Sequence, residues 1–368
     1  MTQDNSQSPR RATTVNLLFS VLRSALWDDR LAQPLSGDEF LAVMALAEQQ
    51  TVQALAFDVL SVQRTDADRK QVLRYANKLS KIQRMNLVAD AALQAFVRQL
   101  ACRQAAYLVM KGQTLAALYP HPQLRVPGDI DFILNATYPS ARRLMLDAFQ
   151  VALPEKLTKK EYSFKMNGMV YDFHSQLFFF ASSRNARLWA QLMEEAWQQP
   201  AVVRVGDGDV CTLPPTMNAV YLFLHLFFHL IREGVAIKQF CDCAVFLHAH
   251  RHDIDRQRLQ LILRQLRMER AFAVVGAVLV DCLGLPLASF PMTIGADAGK
   301  WRDKMVADIV RGGSFGKQYH HAKRSLLFKT ETLLIALRNS WRYYRLAPDE
   351  AGMLVPRLLK ANLRNLLK

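Results

Sequence analysis

The sequence predicts an α+β protein that is predominantly α-helical, with a small mixed-sheet domain inserted between helical regions. Apolar residues recur at helical spacing toward both ends of the chain, whereas short strand-like runs separated by turn residues are confined to its middle. We therefore divide the chain into a disordered tail (1–13), an N-terminal helical region (14–104), a central strand-bearing domain (105–214) and a C-terminal helical region with a basic tail (215–368).

The composition indicates a globular protein with a basic surface. The chain has 368 residues, of which 51% are hydrophobic, and a net charge of +15. Such a surface favours phosphates, nucleic acid or an anionic membrane. The five cysteines form no C-x-x-C pair, which favours a reducing cytoplasm over a disulfide framework. Because neither a signal-peptide core nor an apolar run of membrane-spanning length is found, we expect a cytoplasmic protein, with the inner face of the membrane as an alternative location.

The N-terminal helical region carries helix signals but no pattern that indicates chemistry. Ser36 and Glu39 form a capping box ahead of an apolar stripe. Thr65-Asp66 is expected to start a long helix that runs to about Arg103. We interpret this region as a platform beneath the central domain.

The stretch from Ala105 to Leu134 predicts strand, tight turn, helix, loop and strand in that order. Tyr107–Met110 is an apolar run of strand length, which Lys111-Gly112 ends, and Thr114–Tyr119 favours a short helix. The first N–H groups of a helix have no partner within the helix, so the turn at Gly112 suits a phosphate.

Asp129 and Asp131 alternate along the second strand of this stretch, so their side chains project from one face. Two carboxylates on one face repel each other unless a cation lies between them. Mg²⁺ takes oxygen ligands and commonly bridges carboxylates to substrate phosphates, so Mg²⁺, or Mn²⁺ in its place, is the expected cofactor. A phosphate-binding turn followed closely by D-x-D on a strand predicts phosphoryl transfer.

Asn167-Gly168 predicts a β-hairpin, because it separates two strand-like runs and both residues tolerate positive φ. The second run places Asp172 and His174 on one face of a strand. A further turn, Gly206–Asp209, also joins strand-like runs and lacks the EF-hand calcium pattern. Pro214-Pro215 then marks the end of the central domain.

The C-terminal region is predicted to be helical. His225 and His229 lie four residues apart on one helix face but lack the Glu of the zinc-protease motif; a packing role and a substrate-side role both stay open. The spacing of Cys241 and Cys243 from His248 and His250 is not that of a standard zinc site. Gly312–Lys317 is one residue short of a P-loop and is followed by Gln rather than Ser or Thr.

The segment from Lys317 to Lys368 has eleven Lys and Arg residues against three acidic residues. Trp341–Arg345 mixes aromatic and arginine side chains, and Val355–Leu367 predicts an amphipathic basic helix. Such a segment is able to bind nucleic-acid phosphates or an anionic membrane surface. The alternative is a helix that docks on the core and leaves its basic side in solvent.

The ordered motifs of the central domain resemble the polymerase-beta-type nucleotidyltransferase superfamily, and within it a poorly characterised bacterial branch. The matching residues are Lys111-Gly112, Tyr119-Pro120, Arg125 and Gly128-Asp129-Ile130-Asp131-Phe132, with a looser match at Leu46-Ala47-Glu48 and Asn86. The superfamily usually has Ser after the Gly of the turn, where this chain has Gln113. Backbone contacts to phosphate are therefore expected there, without a hydroxyl contact.

The resemblance implies a metal-dependent nucleotidyltransferase that moves a nucleoside monophosphate from an NTP to an acceptor hydroxyl and releases pyrophosphate. The implied catalytic residues and metal ligands are Asp129, Asp131 and, on a neighbouring strand, Asp172. The implied nucleotide-binding residues are Lys111, Gly112, Gln113 and Arg125. Further polar positions that fit the family are His174, His225, His229 and Asp242.

The sequence leaves the acceptor and the oligomeric state open. A saccharide, a protein hydroxyl and an RNA end all fit the resemblance, with a weak preference for a saccharide or a membrane-side acceptor. The alternative function is a catalytically inactive protein on the same fold that binds nucleotide or RNA, at the membrane surface or in solution. Gln113 in place of Ser supports this alternative, whereas the three carboxylates argue against it, because paired acids without a metal repel each other.

Overall fold

The structure, a computed structural model, describes residues 7–29, 31, 33–63, 66–157, 159–313 and 326–352. Its helices are α1 (Gln7–Trp27), α2 (Gly37–Gln49), α3 (Gln53–Ser61), α4 (Arg69–Ala101), α5 (Gln113–Ala116), α6 (Tyr138–Phe149), α7 (Ser183–Gln198), α8 (Pro215–Arg232), α9 (Ile237–Ala249), α10 (Arg256–Leu266), α11 (Glu269–Ala277), α12 (Ala298–Gly312) and α13 (Leu326–Tyr343). Its strands are β1 (Tyr107–Met110), β2 (Ile130–Leu134), β3 (Glu161–Met166), β4 (Met169–His174), β5 (Ala201–Val205) and β6 (Gly208–Thr212).

These elements confirm the predicted fold class, α+β and predominantly helical. Helices precede and follow a segment that holds every strand of the described chain. A four-stranded sheet has the order β1-β2-β4-β3, with β2 and β4 parallel and the outer pairs antiparallel, so the sheet is mixed. Strands β5 and β6 form a separate hairpin.

The predicted turn at Asn167-Gly168 sets the register of the sheet. Asn167 and Gly168 have φ of 50° and 75°, the conformation that a two-residue hairpin turn requires. The turn joins β3 to β4, and β4 then lies beside β2 with Asp172 directly opposite Asp131. The parallel pairing thus brings a residue of the hairpin next to the D-x-D segment.

The two faces of the sheet pack against different helices. Alternate residues Ile130 and Phe132 belong to a core shared with α4 and α6, and Tyr171 of β4 lies in the same core and donates from its hydroxyl to the Ala92 carbonyl at 3.1 Å. Ile133, on the opposite face, belongs to a larger core that includes the apolar residues of α8. The period-2 alternation of the strands therefore directs Asp131 toward the C-terminal helices.

Two helices begin at other residues than expected. Helix α1 begins at Gln7, so residues 7–13, assigned to a disordered tail, belong to a helix with Pro9 in its first turn, where a missing N–H breaks no helical bond. The long helix α4 is capped by Asp68, whose carboxylate accepts from the N–H of Gln71. Asp66, expected to cap α4, instead accepts from the N–H of Gly37 at the start of α2.

The segment Trp341–Arg345, part of the predicted basic tail, is divided between core and solvent. Tyr343 is fully buried and donates from its hydroxyl to Asp308 at 2.7 Å, whereas Trp341 is 86% exposed. The predicted helix Val355–Leu367 and the segment 314–317 lie outside the described residues. Within the described residues, no helix combines the length and apolar character that crossing a membrane requires.

Candidate active site

The turn after β1 has a backbone conformation that only glycine adopts readily. Gly112 has φ 54° and ψ −126°, and Lys111 before it also has positive φ, 58°. A Cβ atom on Gly112 would lie 3.3 Å from the Asp129 carbonyl oxygen. The turn therefore holds the backbone against the start of β2, and backbone strain of this kind clusters at ligand sites.

Three carboxylates meet at one end of the parallel pair β2 and β4. Asp129 precedes β2, Asp131 lies within it, and Asp172 lies opposite Asp131 on β4. Each offers an oxygen atom, and the three oxygens all lie within 4.8 Å of one another. The residues that the sequence nominated as metal ligands are therefore brought together in space.

Asp131 is buried and already compensated by two partners. Its Oδ2 lies 3.0 Å from the Lys111 ammonium, and its Oδ1 lies 2.8 Å from Nε2 of His174. Burial alone would raise the pKa of Asp131, but the Lys111 charge and the His174 hydrogen bond hold it well below its usual value. Lys111 in turn has a raised pKa, because the Asp131 charge outweighs the effect of its own burial. Both groups are ionised at neutral pH.

Asp129 and Asp172 form no ion pair with any residue of the described chain. The charge of Asp131 and, after it, burial raise the pKa of Asp129 to about 6, although the Lys111 charge partly offsets these effects. Oδ1 of Asp172 is buried and has no hydrogen-bond partner among the described residues. An unpartnered carboxylate oxygen beside two other carboxylates fits a divalent cation, and an all-oxygen set suits Mg²⁺ or Mn²⁺.

We expect the affinity for a divalent cation to fall as the pH is lowered from 7 to 5. A carboxylate must lose its proton to bind a metal. With its pKa near 6, Asp129 is mostly ionised at pH 7 and mostly protonated at pH 5. The apparent Kd for Mn²⁺ should therefore rise about tenfold between pH 7 and pH 5.

Calorimetric titration at the two pH values checks this expectation. The control is Asp129→Asn, which lacks the titrating carboxylate; it should bind Mn²⁺ more weakly, and its affinity should change less with pH. Equal affinity of the native protein at both values would contradict the assignment.

Arg125 lies in a buried ion pair rather than free in the site. Its Nε and Nη2 donate to the two carboxylate oxygens of Asp242 at 2.7 and 2.9 Å, and the Tyr119 hydroxyl donates to the same carboxylate at 2.7 Å. This pair joins the central domain to α9. Nη1 of Arg125 is buried and has no partner among the described residues.

Gln113 is placed differently from the other predicted nucleotide-binding residues. Its side chain is buried and donates to Asp90 at 2.5 Å and to Asn86 at 3.3 Å, both on α4. The amide therefore anchors the turn to α4 from behind. Asn86 also donates to the Arg125 carbonyl at 2.9 Å. This residue, which matches the family only loosely, therefore connects α4 to both Gln113 and Arg125.

The histidines of α8 form a row that starts at Lys111. Nε2 of His225 lies 3.3 Å from the Lys111 ammonium. The His225 and His229 rings meet edge to face at 4.4 Å, and Nδ1 of His229 lies 2.6 Å from Glu233. Burial and the Lys111 charge hold the pKa of His225 well below its usual value. The neutral ring can accept from Lys111, so the first role of His225 is to fix this ammonium.

These groups line a cavity of about 600 Å³ between the sheet and helices α8 and α9. The sequence did not single out several of its charged residues, among them Lys160, Arg232 and Lys238. The sequence could have indicated Lys238 as a residue of the cavity, because it lies four residues before Asp242 and hence on the same face of α9. Lys160 and Arg232 carried no comparable signal, because they enter the cavity only through the packing of distant segments.

Comparison with known proteins gives one family match. Residues 36–284, more than half of the chain, match the family described as uncharacterised nucleotidyltransferase. Among solved structures, the chain is similar to an antigenic nucleotidyltransferase-like protein from Paracoccidioides brasiliensis, with 12% identity and a TM-score of 0.31 over 55% of this chain and 95% of that one. No curated protein matches. The family match confirms the resemblance seen in the motifs, and the chain belongs to this nucleotidyltransferase family.

Proposed function

We propose that the protein transfers a nucleoside monophosphate from an NTP to a hydroxyl of an acceptor, with a divalent metal, and releases pyrophosphate. The observation that carries the proposal is the set Asp129, Asp131 and Asp172, whose oxygens lie within 4.8 Å of one another in the cavity. Membership of a nucleotidyltransferase family supports the reaction class.

Asp129, Asp131 and Asp172 would hold the metal. Asp131 can do so while paired, because each carboxylate oxygen has a second lone pair. A bound Mg²⁺ or Mn²⁺ would supply positive charge that offsets the negative charge of the phosphates.

The protein side chains would divide the remaining work. Asp172 would take the proton of the acceptor hydroxyl, through its unpartnered Oδ1. The acceptor oxygen then attacks the α-phosphorus, and the bond between that phosphorus and the bridging oxygen breaks. Lys111 and Arg125 would stabilise charge on the phosphates, and the backbone at Gly112 would approach them closely.

A label-transfer experiment tests this proposal. The purified protein is incubated with Mg²⁺ or Mn²⁺ and an NTP labelled at the α- or the γ-phosphate, together with extract separated into saccharide, protein and RNA fractions. We expect α-label to enter one fraction while γ-label appears only in pyrophosphate. Transfer of γ-label instead would indicate a kinase reaction and contradict the proposal. The fraction that takes up label names the acceptor class: saccharide, protein or RNA.

A second candidate function is a nucleotide-binding protein without catalysis. The observation that favours it is the ion pair of Lys111 with Asp131, which supplies part of the charge that a metal would otherwise supply. This candidate predicts NTP binding without metal and no label transfer.

A further inference from the structure

The cavity contains two cationic side chains that the metal chemistry does not use in full. Arg125 is 4% exposed, and its Nη1 has no partner among the described residues, although Nε and Nη2 are held by Asp242. Lys238 lies at the start of α9 and lines the same cavity. Its ammonium has no hydrogen bond or ion pair with any residue of the described chain.

The two side chains lie in the same part of the cavity. The Lys238 ammonium is 3.9 Å from the position of a Cβ built on Gly128, the residue before Asp129. Burial, followed by the charge of Arg125, lowers the pKa of Lys238 to about 8. Two cations that repel each other in a partly buried place are stabilised by an anion between them.

The position of Lys238 is fixed by the N-terminal helical region. Gln50 is fully buried; its Oε1 accepts from the N–H of Ile237 at 3.0 Å, and its carbonyl accepts from the N–H of Lys238 at 3.4 Å. Its Nε2 donates to the Ile309 carbonyl at 3.2 Å. Gln50, directly after α2, therefore joins the start of α9 to α12, and these bonds fix the backbone position of Lys238.

We propose that Arg125 and Lys238 form an oxyanion subsite that binds the terminal phosphate of the donor triphosphate and so selects triphosphates over shorter phosphates. The inference rests on the proposed function for the identity of the donor. The Arg125 charge is paired with Asp242 and the Lys111 charge with Asp131, and Arg232 donates to the Phe179 carbonyl. The charges of Asp242 and Asp129 act on the Lys238 ammonium, but it forms no ion pair within the described chain. A terminal phosphate carries more negative charge than an internal one, so it is the group that Lys238 attracts most strongly. Asp242 acts as a positioning residue that aims Nη1 of Arg125.

Binding of inorganic tripolyphosphate without metal tests the subsite separately from catalysis. The experiment uses the full chain carrying Asp129→Asn and Asp172→Asn in EDTA, so that neither metal nor these two carboxylates affect the result. In this background we compare Lys238→Met with Lys160→Met. Lys160 is a cavity lysine that already has an ion-pair partner, Glu161, at 2.9 Å. Calorimetry gives the affinities, and melting curves show that each variant is folded.

We expect Lys238→Met to weaken tripolyphosphate binding tenfold or more, roughly the effect of one charge-assisted hydrogen bond. Lys160→Met should stay within about twofold, and Lys238→Arg should restore binding because it keeps the charge. Unchanged affinity in Lys238→Met, or an equal loss in Lys160→Met, would overturn the subsite.

A second measurement, with a phosphate monoester, distinguishes the terminal phosphate of the donor from the phosphate of a phosphorylated acceptor. If glycerol phosphate binds as tightly as tripolyphosphate and with the same dependence on Lys238, the terminal-phosphate assignment is wrong and the group belongs to a phosphorylated acceptor. Weaker binding of the monoester supports the assignment. The Asp129→Asn/Asp172→Asn protein is expected to bind tripolyphosphate without a metal site, so this measurement is independent of catalysis. If the native protein showed no transfer activity, the proposed function would be overturned, but the dependence of tripolyphosphate binding on Lys238 would still stand.

Discussion

Replacing Asp172 by asparagine is expected to lower the rate of nucleotidyl transfer roughly 10³-fold, the scale of losing one electrostatic contact to the transition state. The substitution removes the carboxylate that lies opposite Asp131 and has an unpartnered buried oxygen. An asparagine of the same shape can neither carry the negative charge that binds the metal nor accept the acceptor proton.

Asp172 is a sharper choice for this test than Asp131. Asp131 pairs with Lys111 and His174, so its loss would disturb the fold as well as the chemistry. Loss of the Asp172 charge instead relieves repulsion, and the metal-free variant should melt no lower than the native protein. The control is Asp209→Asn, an exposed acid on the β5–β6 hairpin. A rate within tenfold of the native rate at saturating metal would show that Asp172 does not act as proposed.

Arg125→Met should destabilise the protein by about 3–5 kcal/mol, because it leaves the buried Asp242 carboxylate with the Tyr119 hydroxyl as its main partner. The pKa of Asp242 is lowered: burial opposes its ionisation, but the Arg125 charge and hydrogen bond outweigh that effect. A lowered pKa means that the pair stabilises the fold above the unfolded-state pKa and that this contribution is lost as the pH falls through the folded-state pKa.

Urea unfolding at pH 7 measures this effect, with Arg125→Met/Asp242→Asn as the second variant. The double variant has no unpaired buried charge, so it should recover part of the lost stability. Arg204→Met, which breaks the exposed pair with Asp209, is the matched control and should cost about 1 kcal/mol or less. Equal losses in the single and double variants would mean that the cost comes from packing rather than from the stranded charge.

The parts of the fold that the sequence predicted are those specified by local interactions. Asn167-Gly168 specifies its own turn, because both residues accept positive φ. The alternation of Asp129 and Asp131 follows from strand geometry, and the capping box at Ser36 and Glu39 is present as expected. Parallel pairing of Asp131 with Asp172 is not local, and it was anticipated only through the resemblance to a known family.

The parts that the sequence did not predict depend on packing between distant segments. Arg125 and Asp242 are 117 residues apart in the chain, so no local pattern joins them. The direction of the Gln113 side chain depends on Asp90 and Asn86 of α4, although its place in the chain suggested a phosphate contact. Lys238 shares a face of α9 with Asp242, but it lines the cavity only because α9 packs against α8 and α5. Tertiary contacts, rather than local propensity, complete the cavity.

The most direct test of the central claim is divalent-metal and nucleotide binding by thermal shift. The native protein and the Asp129→Asn/Asp172→Asn variant are melted with each NTP, with and without Mg²⁺ or Mn²⁺. The carboxylate site predicts that metal together with an NTP raises the Tm of the native protein and that the variant loses this rise. An equal rise in the variant, or no rise in the native protein with any metal and nucleotide, would contradict a metal-dependent nucleotide site at these carboxylates.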